Sequence, residues 1–154
     1  MAVIFDLKNY RLGFNAWGLI LFIAIMLPNF IWFFLPAPND ILRSDSVTPK
    51  IDMIASICQV LMTAALCVIK NQKSRKINLS PRIISTIICC ILYFVSWIFY
   101  YIGAVNVIVI LGLTILPCLA FLIFALDRKN LFAVFFAFVF TILHLIYSAV
   151  NYIA

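Results

Sequence analysis

Val105–Leu126, VNVIVILGLTILPCLAFLIFAL, runs for 22 residues without a charged side chain. A helix needs roughly 20 mostly apolar residues to cross about 30 Å of hydrocarbon, so this stretch reads as one complete span. Its apolar residues are continuous, which excludes the alternating pattern of a membrane β-barrel. A helix remains, because it satisfies its own backbone hydrogen bonds in a medium that offers none.

Four more stretches of the same kind flank it. They are Gly13–Leu35, Pro49–Ile69, Pro81–Ile102 and Leu131–Ile153. The sequence therefore predicts an all-α fold: a polytopic integral membrane bundle of five transmembrane helices, forming one domain over residues 1–154. Composition agrees. The chain is 67% hydrophobic and 10% charged, against about 45–50% and about 25% in ordinary soluble domains. A soluble globule of this size would lack the polar surface to cover itself.

The boundaries follow from local chemistry. Thr48-Pro49 and Ser80-Pro81 each read as an N-cap followed by proline at the first helical position. Asp127 is expected to cap the fifth span. Tyr101–Asn106 carries Gly103 and no charge, and reads as a tight hairpin between spans three and four. Pro28 removes an amide within the first span and predicts a kink there. The charged start runs into a full-length apolar stretch, so a retained first span is expected in place of a cleaved signal peptide. Val3–Leu12 is expected to lie along the membrane interface.

Charge sets the expected direction. With five spans, the N-terminus and the second and fourth loops share a side that holds Lys8, Arg11, Lys70, Lys73, Arg75, Lys76, Arg82, Arg128 and Lys129. The other side holds only Arg43 and Lys50. The positive-inside rule then places the N-terminus in the cytoplasm and the C-terminus outside. The expected location is a plasma membrane, multi-pass, of the bacterial inner or cytoplasmic type. The net charge of +6 is explained by topology, so no nucleic-acid partner is expected. Membrane lipids are the expected partners; Lys70–Lys76 reads first as a topology determinant and solvated loop, and second as a contact for anionic headgroups.

Little in the sequence suggests catalysis. All five cysteines, Cys58, Cys67, Cys89, Cys90 and Cys118, fall in spans with neither zinc nor dithiol spacing. Glutamate is absent, and no phosphate-binding glycine loop, H-E-x-x-H or G-x-S-x-G occurs. No cofactor or metal is expected. In length and span count the chain resembles the tryptophan-rich sensory protein (translocator) family. That family's W-x-P-P loop signature is missing, and Trp32–Pro38 (WFFLPAP) is spaced differently, so no residue role is carried over.

Polar residues inside the spans are more informative, because they are costly there and face the bundle or a cavity. Asp52, Ser56, Gln59 and Thr63 fall on one face of the second span. His144, Tyr147, Ser148 and Asn151 do so in the fifth. Both stripes occupy the outer half. Asn29 and Trp32 of the first span, Asp40 of the first loop, Tyr100 ending the third span and Asn106 starting the fourth lie at similar depth. The expectation is an outward-facing cavity walled by Asn29, Trp32, Asp40, Asp52, Ser56, Gln59, Tyr100, Asn106, His144, Tyr147 and Asn151. Asp52 and His144 are the one acid–imidazole pair the chain permits. Each group also has a plainer reading, as interhelical contact or as an interfacial aromatic.

Three functions fit. The first is non-enzymatic binding or transport of a small amphipathic or lipid-like molecule in that cavity. The second is an accessory subunit packing against a larger membrane protein. The third is a membrane enzyme using Asp52 and His144, with Asp40 beside them.

Overall fold

Each apolar stretch folds as one helix in the computed structural model, which describes residues 7–153. The helices are α1 (Ala16–Phe34), α2 (Pro49–Val68), α3 (Pro81–Tyr101), α4 (Val107–Asp127) and α5 (Leu131–Ser148). A wider π-helical turn, Ala149–Ile153, continues α5. All five segments are long and apolar enough to cross a membrane. Their outward faces are apolar as well: Ile23, Leu27, Ile91, Ile98, Ile108 and Phe135 are all exposed. A soluble monomer rarely leaves so much contiguous apolar surface bare, and the five helices support a membrane protein.

The helices form a closed ring. α1 packs on α2, α2 on α5, α5 on α4, α4 on α3, and α3 returns to α1. Met62, Phe121, Ala120 and Ala125 fill its centre. Gly18 lets α1 approach α2, since a Cβ there would lie 2.7 Å from the Leu66 carbonyl oxygen. Gly103 makes the α3–α4 hairpin with a φ of +87°, a conformation available to glycine at little cost.

Successive helices run in opposite directions, so the connections gather at two ends. One end is strongly basic and carries the start of α1, the α2–α3 loop and the α4–α5 turn. Two short strands lie there, β1 (Tyr10–Leu12) and β2 (Ile69–Asn71), paired antiparallel with Arg11 opposite Lys70. The sequence patterns do not announce this ribbon. It forms because the two chain segments leave α1 and α2 side by side with main-chain groups to satisfy. Of the expected interfacial segment, residues 3–6 lie outside the described residues, and the remainder forms a 3-10 turn, Leu7–Asn9, followed by β1.

The cap at α5 corrects one expectation. Asp127 ends α4, where it accepts a hydrogen bond from Ser80 Oγ (3.0 Å) and pairs with Arg128. Asn130 caps α5 instead, its Oδ1 accepting from the Ala133 amide (3.2 Å). The Asn130 Nδ2 donates to the carbonyls of Ala65 (2.8 Å) and Ile69 (2.9 Å) at the end of α2. Asn15 covers the neighbouring carbonyls, with Nδ2 donating to Leu66 (3.1 Å) and its amide to Cys67 (2.7 Å). The other boundary expectations divide. Ser80 caps α3 by accepting from the Ile83 amide. Thr48 occupies the N-cap position of α2 without a side-chain cap bond, and α1 continues as helix through Pro28.

Asn130 is 1% exposed, so its bonds have no water to replace them. Asn130→Asp keeps the α5 cap but removes the donor to α2. Both Asn130→Asp and Asn130→Ala should lose about 1–3 kcal/mol of stability, measured by thermal unfolding in detergent. An aspartate variant as stable as the parent would show that the α2 carbonyls do not need this donor.

Candidate functional site

The eleven residues expected to wall one cavity occupy three separate places. Asn29, Asp52, Ser56, Gln59 and His144 line a cavity of about 160 Å3 to which all five helices contribute. α1 supplies Ile25, Met26 and Asn29, and α2 supplies Asp52, Ala55, Ser56 and Gln59. Tyr93 of α3, Leu113, Pro117 and Phe121 of α4, and Phe140 and His144 of α5 complete the wall. The two polar stripes therefore meet across this space, though only the Asp52 end of one and the His144 end of the other reach it.

The hydrogen bonds show which polar atoms are occupied. Asn29 Nδ2 donates to the Ile25 carbonyl (3.0 Å) and to the Tyr93 hydroxyl (2.7 Å). Its Oδ1 is left as the group with capacity to spare. Gln59 Nε2 makes only a long contact with Met26 Sδ (3.7 Å). His144 is held by stacking, with its ring 5.0 Å from Phe140 and 6.4 Å from Tyr147 between centroids. Asp52 and His144 face the same space, but no hydrogen bond joins them among the described residues. Tyr93 is the wall residue that the stripes did not reveal. Its signal was a tyrosine in mid-span, whose hydroxyl needs a partner when buried.

Trp32, Asp40 and Tyr100 form a second cluster above the cavity. Asp40 accepts from Trp32 Nε1 at 2.9 Å to both carboxylate oxygens. It also accepts from the Tyr100 hydroxyl (2.8 Å), Arg43 Nε (2.9 Å) and the Ala37 amide (3.3 Å). Arg43 lies 4.8 Å over the Trp32 ring and reaches the Trp32 carbonyl at 2.6 Å. The Tyr100 hydroxyl in turn accepts from the Leu42 amide (3.2 Å). This carboxylate ties the loop after α1 to the end of α3. Burial alone would raise the Asp40 carboxyl, but the bonds from Trp32, Tyr100, Arg43 and Ala37 outweigh it and hold it below its ordinary 3.8. A carboxylate so fully engaged is a structural anchor and is poorly placed for acid–base work.

The remaining three residues also serve the frame. Asn106 is the N-cap of α4, accepting from the Val109 amide (3.0 Å). Asn151 accepts from the Val47 amide (2.8 Å) and donates to Thr48 Oγ1 (2.7 Å), fastening the end of α5 to the start of α2. The Tyr147 hydroxyl meets that of Tyr152 at 3.1 Å. Ser148 leaves the stripe for α4, where its hydroxyl bonds that of Thr114 (2.8 Å). A helical stripe specifies a shared face, while the π-helical turn and the neighbours decide where each member goes.

Asp40 carries a pH signature. Its carboxyl is lowered on folding, so its stabilisation is complete above the unfolded value and is lost as pH falls through the folded one. The melting temperature should fall on acidification below about pH 4, and Asp40→Asn should flatten that part of the profile. Asp40→Ala should cost about 1–3 kcal/mol at neutral pH, because buried donors lose their acceptor. An unchanged acid limb in Asp40→Asn would remove the carboxylate from this role.

No protein-family model, curated protein or solved structure matches this chain. Its function is read from the cavity and the distribution of charge alone.

Proposed function

We propose that this chain is a non-enzymatic membrane protein that binds, and in doing so presents or transports, a small amphipathic or lipid-like molecule in the five-helix cavity. The observation that carries the reading is the contrast between engaged and unengaged polar groups. Asp40, Tyr100, Asn106 and Asn151 complete their hydrogen bonding within the fold. Asp52, Ser56 and His144, which line the cavity, make no side-chain hydrogen bond among the described residues. Polar groups kept inside a membrane helix without partners are costly, and a bound polar group or water offsets that cost.

The orientation follows from the charges at the two ends. The basic end faces the cytoplasm in this reading, with Lys70, Arg75 and Lys76 around an open pocket of about 450 Å3 near anionic headgroups. The cavity then opens in the half of the bilayer away from the cytoplasm. The membrane is a plasma membrane, of the bacterial inner or cytoplasmic type.

The test is mass spectrometry of the protein released intact from its native membrane. The parent should carry a small molecule, and Gln59→Leu and His144→Leu should lose it while inserting normally. Retention of the molecule by both variants would refute the site. A stoichiometric protein partner with no small molecule would instead identify an accessory subunit.

A further inference from the structure

The cavity does not end at Gln59. A second, almost wholly apolar groove of about 410 Å3 runs on between α1 and α2, lined by Phe22, Met26, Gln59, Val60, Ala64 and Cys67, with Thr63. Met26 and Gln59 belong to both walls. The two side chains meet only through the 3.7 Å amide–sulfur contact, and methionine is the most adaptable of apolar side chains. The spaces are thus a polar chamber and an apolar trough that share one flexible junction. From Asp52 to Cys67 the combined site extends about 22 Å along α2 at 1.5 Å per residue.

The chemistry of the chamber is one-sided. The amide donors of Asn29 are taken by Ile25 and Tyr93, and that of Gln59 turns to Met26. What remains is the Asp52 carboxylate, the amide oxygens of Asn29 and Gln59, and neutral groups that can also donate, the Ser56 and Tyr93 hydroxyls and the His144 ring. No lysine or arginine lines the chamber, and Asp52 has no ion pair among the described residues. Tyr93, Phe121 and Phe140 supply aromatic rings to the wall, and the faces of such rings attract cations. An anionic headgroup would meet a carboxylate with no lysine or arginine in the wall to offset it. An alcohol would leave the carboxylate without a counter-charge.

Resting on the binding function proposed above, we infer that the ligand is a single-chain amphiphile with a protonated amine head. Its ammonium group sits against Asp52, Asn29 and Gln59, and its hydrocarbon chain lies in the α1–α2 groove. Asp52 is in the first turn of α2, near the membrane surface; the chamber leads from there to Gln59 at mid-helix, and the groove runs on to Cys67 towards the basic end. That is the natural direction of a lipid with its head at the interface. The open side of the groove lets such a molecule enter from the bilayer.

The test uses the intact chain in phosphatidylcholine nanodiscs with three probes, dodecylamine, dodecanol and dodecanoic acid, retained binding being read by native mass spectrometry. Dodecylamine should bind in preference to both others. Asp52→Asn should weaken it at least about tenfold, as expected for loss of the ammonium's charge partner. Val60→Trp, which fills the groove from a lipid-facing position, should exclude the twelve-carbon amine. A photoreactive dodecylamine should label Phe22, Met26 or Val60. Equal binding of dodecanol, or amine binding indifferent to Asp52→Asn, would overturn the inference. If that binding still depended on Gln59, the cavity would survive as a site with a different headgroup preference. Failure of every probe to bind the parent chain would also overturn it, and a native-membrane ligand would then have to be of another class.

Discussion

The carbonyl groups at the end of α2 are the constraint on which the arrangement depends. A helix leaves its last four carbonyls without intrahelical partners, and here they lie against α1 and α5. Asn15 and Asn130 answer them, one from the start of α1 and one from the turn before α5. Because Asn130 also caps α5, one side chain sets the height of two helices relative to each other. At the other end, Asn151 joins α5 to Thr48 at the start of α2. The α2–α5 pair is thereby pinned at both ends, and it is this pair that carries Asp52, Ser56, Gln59 and His144.

The same logic separates the polar residues into two kinds. In the Asp40 cluster, a carboxylate, an indole, a phenol, a guanidinium and a backbone amide satisfy one another and leave nothing over. Such a network rigidifies, because each member is costly to leave unpaired at low dielectric. Around the cavity the pairing is incomplete: the Asn29 amide donors are taken up locally, while Asp52, Ser56 and His144 line the space without side-chain partners among the described residues. The first kind holds the loop after α1 against α3. The second kind is what a ligand can use.

Much of the fold was legible in the sequence because membrane helices are dictated by length and apolarity. The Pro49 and Pro81 starts agree with the structure to the residue, and the Gly103 hairpin is where its positive φ requires it. The Asn130 cap was not legible, since Asp127 is an equally good cap in one dimension; only packing shows that Asp127 is held by Ser80 and Arg128. The β1–β2 ribbon was hidden for a similar reason, as three-residue strands carry no periodic signal. For the site, the two stripes located Asp52, Ser56, Gln59 and His144, and depth in the first span added Asn29. The same reading also gathered in Trp32, Asp40, Tyr100, Asn106, Tyr147 and Asn151, because depth along a helix is readable from sequence and pairing between helices is not. Tyr93 and Met26 escaped because neither belongs to a polar stripe.

The central claim is that the cavity faces away from the cytoplasm while the basic end faces into it. Single cysteines placed at Ser56 and at Ser74, in a chain whose five native cysteines are replaced, test this directly with a membrane-impermeant thiol reagent on intact cells. The account predicts that Ser56→Cys is modified from outside and that Ser74→Cys is modified only after permeabilisation. Modification of Ser74→Cys in intact cells, with Ser56→Cys protected, would contradict it.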